Sequence, residues 1–344
     1  MKRVVFAGDR LFRKFPNREY FVNRLREVDA VCEFAEDDPG SASDDSALHR
    51  RIADAAAIVV IDRRVDRALI ENMRHVELIM TLSVGYDCVD VAAATDFGVP
   101  VSNCPSYCVD EVATHALTLL HAIARKIHEV VPATKGGNWR IDYAKPIHSF
   151  LGATLGIVGL GRIGRSLARK AAPLGMRIAA YDPYLDDDIF ETLGVTRFAD
   201  LDDFLPVCDY ISIHAPLTGE TRHMFDARAF ELMQPGAFVV NTARGAIING
   251  DDLLAALGHG AIAGAGLDVL ESEPPEPDHP LLHEPRALVT PHMAWYSEES
   301  YRKNQELGMH ELTRVLRGRR PTYIVNPQVL QGTAAETRKR RVYG

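Results

Sequence analysis

Three glycines, Gly159, Gly161 and Gly164, follow the apolar run Leu155–Val158 and open a helical pattern over Ile163–Leu174. Few folds suit a chain that passes from strand to helix through glycines at this spacing. The expected context is the first strand–helix turn of a doubly wound sheet that holds a dinucleotide. There Gly159 allows the tight turn, Gly161 lets backbone approach a pyrophosphate, and Gly164 lets helix and strand pack closely. Val158, Arg162 and Ile163 complete the turn, and N–H groups at the helix start face the phosphate charge. Glycines alone also fit a plain strand–turn–helix. The next strand, Arg177–Tyr181, ends on Asp182, whose carboxylate can accept ribose hydroxyls and repel a 2′-phosphate. Pro183-Tyr184 supplies no compensating cation, so the expected cofactor is NAD. Read by itself, Asp182 is also a turn-initiating Asp before Pro.

Strands and helices alternate on both sides of this turn. Val4–Ala7, Val31–Phe34, Ala57–Ile61, Leu78–Leu82 and Pro100–Asn103 read as short strands, with helices at Asp44–Ala56 (capped by Ser43) and Asp66–Met73. A long helix is expected over Asp110–His128, with apolar residues at Val112, Ala116, Leu119, Leu120 and Ile123, and an irregular stretch over Glu129–Phe150. After the glycine turn come strands Tyr210–His214, Ala237–Asn241, Ala263–Asp268 and Ala287–Thr290, with helices Ala227–Met233 and Asp251–Leu257. The helix Glu298–Leu316 follows the second series and is placed to return the chain to the first. The pattern is α/β throughout, with parallel sheets covered on both faces.

At 344 residues the chain is long for one core and comfortable for two domains. A net charge of −8 gives no electrostatic reason to expect nucleic acid or an anionic membrane as partner. No apolar run approaches the roughly 20 residues of a spanning helix. The five cysteines are scattered, without metal-ligand spacing, which suggests reduced thiols in the cytoplasm and no metal site. The polar end, with Arg338-Lys339-Arg340-Arg341, reads as a disordered solvated tail.

Polar groups recur at strand ends, where ligands bind in an open α/β sheet. Asn241-Thr242-Ala243-Arg244-Gly245 places an Arg able to hold a carboxylate through two parallel hydrogen bonds. Glu273 closes the segment that begins at Asp268, and His292 follows Thr290-Pro291. Together they match carbonyl reduction: hydride reaches carbon 2, the oxygen gains charge, and an acid must supply a proton. A carboxylate beside His292 favours its imidazolium form. Each residue has a duller reading: a satisfied surface histidine, a loop glutamate before two prolines, an Arg that caps a turn, an Asp268 that only accepts structural hydrogen bonds.

Taken in order, Gly159–Gly164 with Asp182, His214-Ala215-Pro216-Leu217-Thr218 with Thr221, Asn241–Gly245, Asp268 with Glu273, and Thr290-Pro291-His292 resemble the D-isomer-specific 2-hydroxyacid dehydrogenases over nearly the whole chain. The resemblance implies an NAD-dependent oxidoreductase that interconverts a small 2-oxo acid and its D-2-hydroxy acid. Arg244, Glu273 and His292 would be catalytic. His214, Ala215, Pro216, Thr221, Thr242, Ala243, Arg244, Asp268, His292 and Ala294 would line the cofactor cleft, Asp268 toward the nicotinamide carboxamide. Ser83, Val84 and Gly85 would close on the substrate carboxylate, with Arg244, His292 and Trp295 around the rest. The implied fold is two doubly wound parallel-sheet domains. A Rossmann domain (105–295) is inserted into a flavodoxin-like substrate domain (1–104 and 296–327), with 328–344 as the tail. A homodimer joined through the long helix and the Trp139 region is also implied.

Tyr181–Leu185, Glu271–Pro274 and Ala294–Glu298 look most like the C-terminal-binding-protein branch, so an NAD-sensing scaffold that assembles partner proteins is the alternative function. Against it, Thr81 stands where animal members carry an Arg, and Ala215-Pro216-Leu217-Thr218 replaces their Cys-Gly-Leu-Asn. Formate dehydrogenases are expected to pair the histidine with Gln, where this chain has Glu273.

Overall fold

Runs of Val, Ile and Leu too short for helices form parallel strands whose side chains are buried on both faces. In the computed structural model, which describes residues 1–35 and 45–331, they build two sheets. The chain divides after Tyr107 and after Ser297, where the sequence reading cut it after 104 and 295. One unit joins the first 107 residues to the segment from Glu298, and the other spans Cys108–Ser297.

The first unit holds β1 (Lys2–Ala7), β2 (Ala30–Ala35), β3 (Ala57–Val60), β4 (Leu78–Thr81) and β5 (Val101–Ser102), in the order β2-β1-β3-β4-β5. All pairs are parallel. This is the flavodoxin-like order, with its switch point between β1 and β3. The helix Glu298–Leu316 belongs to this unit: Asn304 Nδ2 donates to the Leu82 carbonyl at 3.0 Å, just beyond β4.

The second unit holds β6 (Thr154–Val158), β7 (Arg177–Tyr181), β8 (Thr196–Phe198), β9 (Tyr210–Ile213), β10 (Phe238–Asn241), β11 (Gly264–Leu267) and β12 (Ala287–Val289). Their order is β12-β11-β10-β9-β6-β7-β8, so the chain reverses direction across the sheet between β6 and β9. That order is the Rossmann topology, and its ligand crevice lies at the carboxyl ends of β6 and β9. One face is covered by Phe204, Phe225, Phe230, Leu253 and Leu257, the other by the helix Val109–Ala124 with Leu167 and Phe190. The implied fold class is the observed one.

Several local expectations are corrected. The helix expected over Asp110–His128 stops at Ala124, and Lys126 takes a left-handed conformation (φ 51°). A second helix then covers Ile127–Lys135, running from the end of the expected helix into the stretch expected to be irregular, and buries no residue. The apolar stripe explains the break: it ends at Ile123 and Ala124, beyond which nothing draws the helix onto the sheet. The tail was expected from 328, yet the 3₁₀ turn Pro327–Leu330 buries Val329; the tail from 332 on lies outside the described residues. So does the expected cap Ser43, whose helix is described over Asp45–Ile52. Helices Asp9–Lys14, Glu19–Arg26 and Asp187–Leu193 and the three-residue edge strand β8 were not anticipated.

Candidate active site

The turn after β6 has the shape that its glycines dictate. Gly159 sits at φ +90°, and a Cβ there would lie 2.7 Å from the Ala215 nitrogen. Its bareness therefore brings the β6 turn against the end of β9, where His214 and Ala215 stand. A Cβ on Gly164 would lie 2.3 Å from the Gly159 carbonyl, so helix Arg162–Ala171 also depends on a bare position. Gly161 differs: no described atom lies within 4 Å of its would-be Cβ. That open space, at a helix N-terminus after a strand, is the cradle a pyrophosphate needs. Asp182, at the end of β7, accepts from Leu160 N–H at 2.9 Å and from Tyr184 N–H at 3.1 Å. These bonds fix the carboxylate beside the glycine turn and leave lone pairs for ribose hydroxyls. Thr221 Oγ1 donates to the Pro216 carbonyl at 2.6 Å, which folds the segment after β9 into a tight turn. Thr242 Oγ1, past the end of β10, is buried without a hydrogen-bond partner among the described residues. An orphaned hydroxyl in that crevice suits a polar ligand. The residues present fit a dinucleotide. His214, against Ser212 Oγ at 2.9 Å, is pushed down to about 4 by burial and is neutral at working pH.

Arg244, Glu273 and His292 leave the carboxyl ends of three adjacent strands, β10, β11 and β12. Asn241 shapes the first exit: its Oδ1 accepts from Ala243 N–H at 3.0 Å and its Nδ2 donates to the Arg244 carbonyl at 2.8 Å. Glu273 Oε2 meets His292 Nδ1 at 2.5 Å, and each side chain keeps 25% of its surface exposed. Glu273 Oε1 also accepts from Leu270 N–H at 3.1 Å. The carboxylate thus fixes the imidazole tautomer with Nδ1 as donor, leaving Nε2 for chemistry. His292 itself has φ 51°, a sparsely populated region for a non-glycine residue, held by its N–H bond to the Asp268 carbonyl.

Asp268 is 1% exposed. Its Oδ1 accepts from Thr290 Oγ1 at 2.6 Å and Met293 N–H at 2.9 Å, and its Oδ2 from Ala294 N–H at 2.8 Å. The carboxylate is the internal anchor of the loop that carries His292, close to the duller of its two sequence readings. Trp295 Nε1 donates to the His292 carbonyl at 3.0 Å and steadies the same loop.

In the first unit, the loop after β4 turns its carbonyls inward. Leu82 accepts from Asn304, Ser83 from Cys104 N–H at 2.9 Å, Val84 from Asn103 Nδ2 at 2.6 Å, and Gly85 from Ser83 Oγ at 2.6 Å. The N–H groups of Ser83, Val84 and Gly85 donate to nothing among the described residues. Such a run of free amides suits an anion.

Residues 117–294 match the family described as D-isomer specific 2-hydroxyacid dehydrogenase, NAD binding domain. A glyoxylate reductase of Korarchaeum cryptofilum is 36% identical over 285 residues, covering 82% of this chain and 86% of its own. The chain belongs to the D-isomer specific 2-hydroxyacid dehydrogenase family. A D-3-phosphoglycerate dehydrogenase of Methanocaldococcus jannaschii is 37% identical over 81% of this chain, which spans 53% of that protein. The crystal structure of a glyoxylate reductase from Paecilomyes thermophila superposes with a TM-score of 0.83 at 28% identity, covering 95% of this chain and 99% of the other. The family fixes the cofactor and the reaction class: this is an NAD-dependent dehydrogenase of 2-hydroxy acids. These relatives lend no support to the C-terminal-binding-protein branch or to the scaffold alternative.

Two contributors to this dehydrogenase site were missed in the sequence. His115, on the helix Val109–Ala124, has Nε2 3.0 Å from Thr290 Oγ1 and 3.5 Å from Asp268 Oδ1. Thr290 was read only as part of a motif, and its hydroxyl proves to be a ligand of Asp268. No spacing signal could have found His115, which lies 175 positions from Thr290. Among the described residues no helix is long and apolar enough to cross a membrane, and no group of three His, Cys, Asp or Glu could hold a metal ion.

Proposed function

We propose that this dehydrogenase reduces a small 2-oxo acid of the glyoxylate or hydroxypyruvate class to its 2-hydroxy acid, the D isomer where carbon 2 is chiral, with His292 as the acid. The observation that carries the reading is the 2.5 Å pairing of His292 with Glu273 on loops leaving adjacent strands of the NAD-binding unit. NAD, when bound, supplies or accepts the hydride at carbon 2. Oriented by Glu273 at Nδ1, His292 gives its Nε2 proton to the carbonyl oxygen as that oxygen becomes anionic. In the reverse direction the neutral ring takes the hydroxyl proton. Arg244 orients the substrate through its carboxylate or carbonyl. Trp295 limits the substituent on carbon 2, and in the first unit the run of free amides over Ser83, Val84 and Gly85 suits a carboxylate. Ala294 and, through the loop it anchors, Asp268 serve the nicotinamide end, Asp182 the ribose, and Gly159–Gly164 the pyrophosphate.

Purified protein should oxidise NADH in the presence of glyoxylate, hydroxypyruvate, pyruvate or 2-oxobutyrate, with the first two preferred. His292→Ala should remove most of that turnover while NADH still binds. Equal loss of turnover and of NADH binding would refute the assigned role. We further propose a homodimer: helix Ile127–Lys135 has no fully buried residue among those described, and Trp139 beside it is 88% exposed. Five free cysteines favour a reducing compartment, the cytoplasm.

A further inference from the structure

The turn that delivers Glu273 carries a second carboxylate two residues earlier, and that one is also paired with a histidine. Glu271 Oε1 meets His223 Nε2 at 2.6 Å, and Glu271 Oε2 accepts from Gly250 N–H at 3.0 Å, at the start of helix Gly250–His259. The side chains of His223 and Glu271 are 39% and 40% exposed. Like His292, His223 has a left-handed backbone (φ 52° against 51°). Its placement is enforced by its neighbours: His223 N–H donates to the Ala246 carbonyl at 2.9 Å, Phe225 N–H to Ile247 at 3.1 Å, and Asn249 N–H to Phe225 at 2.9 Å. The 223–225 segment is therefore hydrogen-bonded along the 246–249 segment that follows Arg244, and Glu271 joins both through His223 and Gly250. On the inner side, Gly245 lies flat against the Leu270 peptide, and Leu270 N–H holds Glu273 Oε1. The peptide between the two carboxylates is fixed at both ends.

We infer that Glu271 is a positioning residue for the reaction: through His223 and Gly250 it holds the 270–273 turn so that Glu273 meets His292. The inference rests on the proposed roles of His292 and Glu273. Glu271 touches neither cofactor nor substrate. It acts by removing the freedom of a short exposed turn whose displacement would separate a bond of only 2.5 Å. The groups bonded to it are His223 and the Gly250 amide, while the first turn of that helix also carries Asp251 and Asp252, the latter accepting from Ala227 N–H at 3.1 Å. Those two acids carry the same charge as Glu271, so the His223 contact and the helix terminus, which favours a negative charge, keep it in place.

The test compares Glu271→Ala, Glu271→Gln, His223→Gln and Glu273→Ala, and the double variant of Glu271→Ala with Glu273→Ala. Glu271→Ala should lower kcat about tenfold, since misplacement of a catalytic contact by an ångström can cost more than that. The Kd for NADH should stay unchanged. Glu271→Gln keeps an acceptor for Gly250 N–H and should recover most of the loss, with His223→Gln intermediate. The double variant should be no slower than Glu273→Ala alone, because a residue acting through Glu273 has nothing left to position. The downfield Nδ1–H proton resonance of His292 reads the bond to Glu273 without turnover, and it should move upfield in Glu271→Ala. A wild-type resonance and kcat in Glu271→Ala, or losses that multiply in the double variant, would overturn the inference. A wild-type protein with no turnover on any 2-oxo acid would instead refute the proposed function, and the resonance would still decide the role of Glu271.

Discussion

Gly245→Ala adds one methyl group at the point where two catalytic segments touch. A Cβ built on Gly245 falls 1.9 Å from the Leu270 carbonyl carbon, 2.1 Å from its oxygen and 2.4 Å from the Glu271 nitrogen. All three are backbone atoms, so no side chain can swing aside. Ordinary contact begins near 3.4 Å, and reaching it requires the segments to part by about 1.5 Å (3.4 less 1.9). One segment carries Arg244 and the other carries Glu273. Overpacking of this kind costs about 1–3 kcal/mol, which for a domain of this size lowers Tm by about 2–4 °C per kcal/mol. The effect on turnover should be larger, because an ångström of misplacement at a reacting centre costs about a hundredfold. NADH oxidation with glyoxylate should show kcat down by about two orders of magnitude. Fluorescence titration should show near-normal NADH binding, since the Gly159–Gly164 turn is untouched. A folded Gly245→Ala protein with wild-type kcat would refute the claim that this contact sets the geometry of Arg244 and Glu273.

Asp182→Asn keeps an acceptor for one of its two backbone N–H partners, which bond to different carboxylate oxygens, and removes the charge that opposes a 2′-phosphate. The ratio of kcat/KM for NADPH to that for NADH should rise at least about tenfold, a change of about 1.4 kcal/mol; an unmoved ratio would show that discrimination lies elsewhere. His214 has a folded-state value near 4 against 6.5 for the free side chain, so between those values the unfolded chain binds a proton that the native state refuses. Stability from this group is therefore complete above pH 6.5 and declines as pH falls toward 4. The loss between pH 7 and pH 5 should be about 2 kcal/mol. Urea unfolding at both pH values should show that slope in the wild type and a flatter one in His214→Asn.

Sequence carried the parts of the site that are local. The strand before Gly159, the helix after Gly164 and the acid ending β7 all lie within one strand–helix–strand unit, where spacing alone dictates geometry. A carboxylate beside His292 was expected on chemical grounds and Glu273 from the family resemblance, neither from spacing, and the structure puts the two at 2.5 Å. Contacts fixed only by packing were not legible. His115 reaches Thr290 and Asp268 because helix Val109–Ala124 lies against β10, β11 and β12, a fact of tertiary structure. The break at Lys126 was missed because Arg125, Lys126, Ile127 and His128 do not disfavour helix strongly, and what ends the helix is the loss of a sheet to cover. Glu271 was read as part of a motif, since its partner His223 lies 48 positions away.

The register of the sheet explains why three segments far apart in sequence converge on one place. In the parallel ladder Asn241 pairs with Leu267, and Leu267 pairs with Val289, so β10, β11 and β12 end in one row. Arg244 lies three residues beyond that row on one strand and His292 three beyond it on another. Between them the row continues into Asp268. Its N–H donates to the Asn241 carbonyl, its carbonyl accepts from His292 N–H, and its carboxylate takes Thr290, Met293 and Ala294. Leaving a buried carboxylate without these donors would cost several kcal/mol, so the folded state retains it only if the loop after β12 wraps around it. Wrapping that loop fixes His292 at its unfavourable φ. The buried charge therefore holds the strained histidine in place, and the sheet register determines that Arg244 and Glu273 emerge beside it.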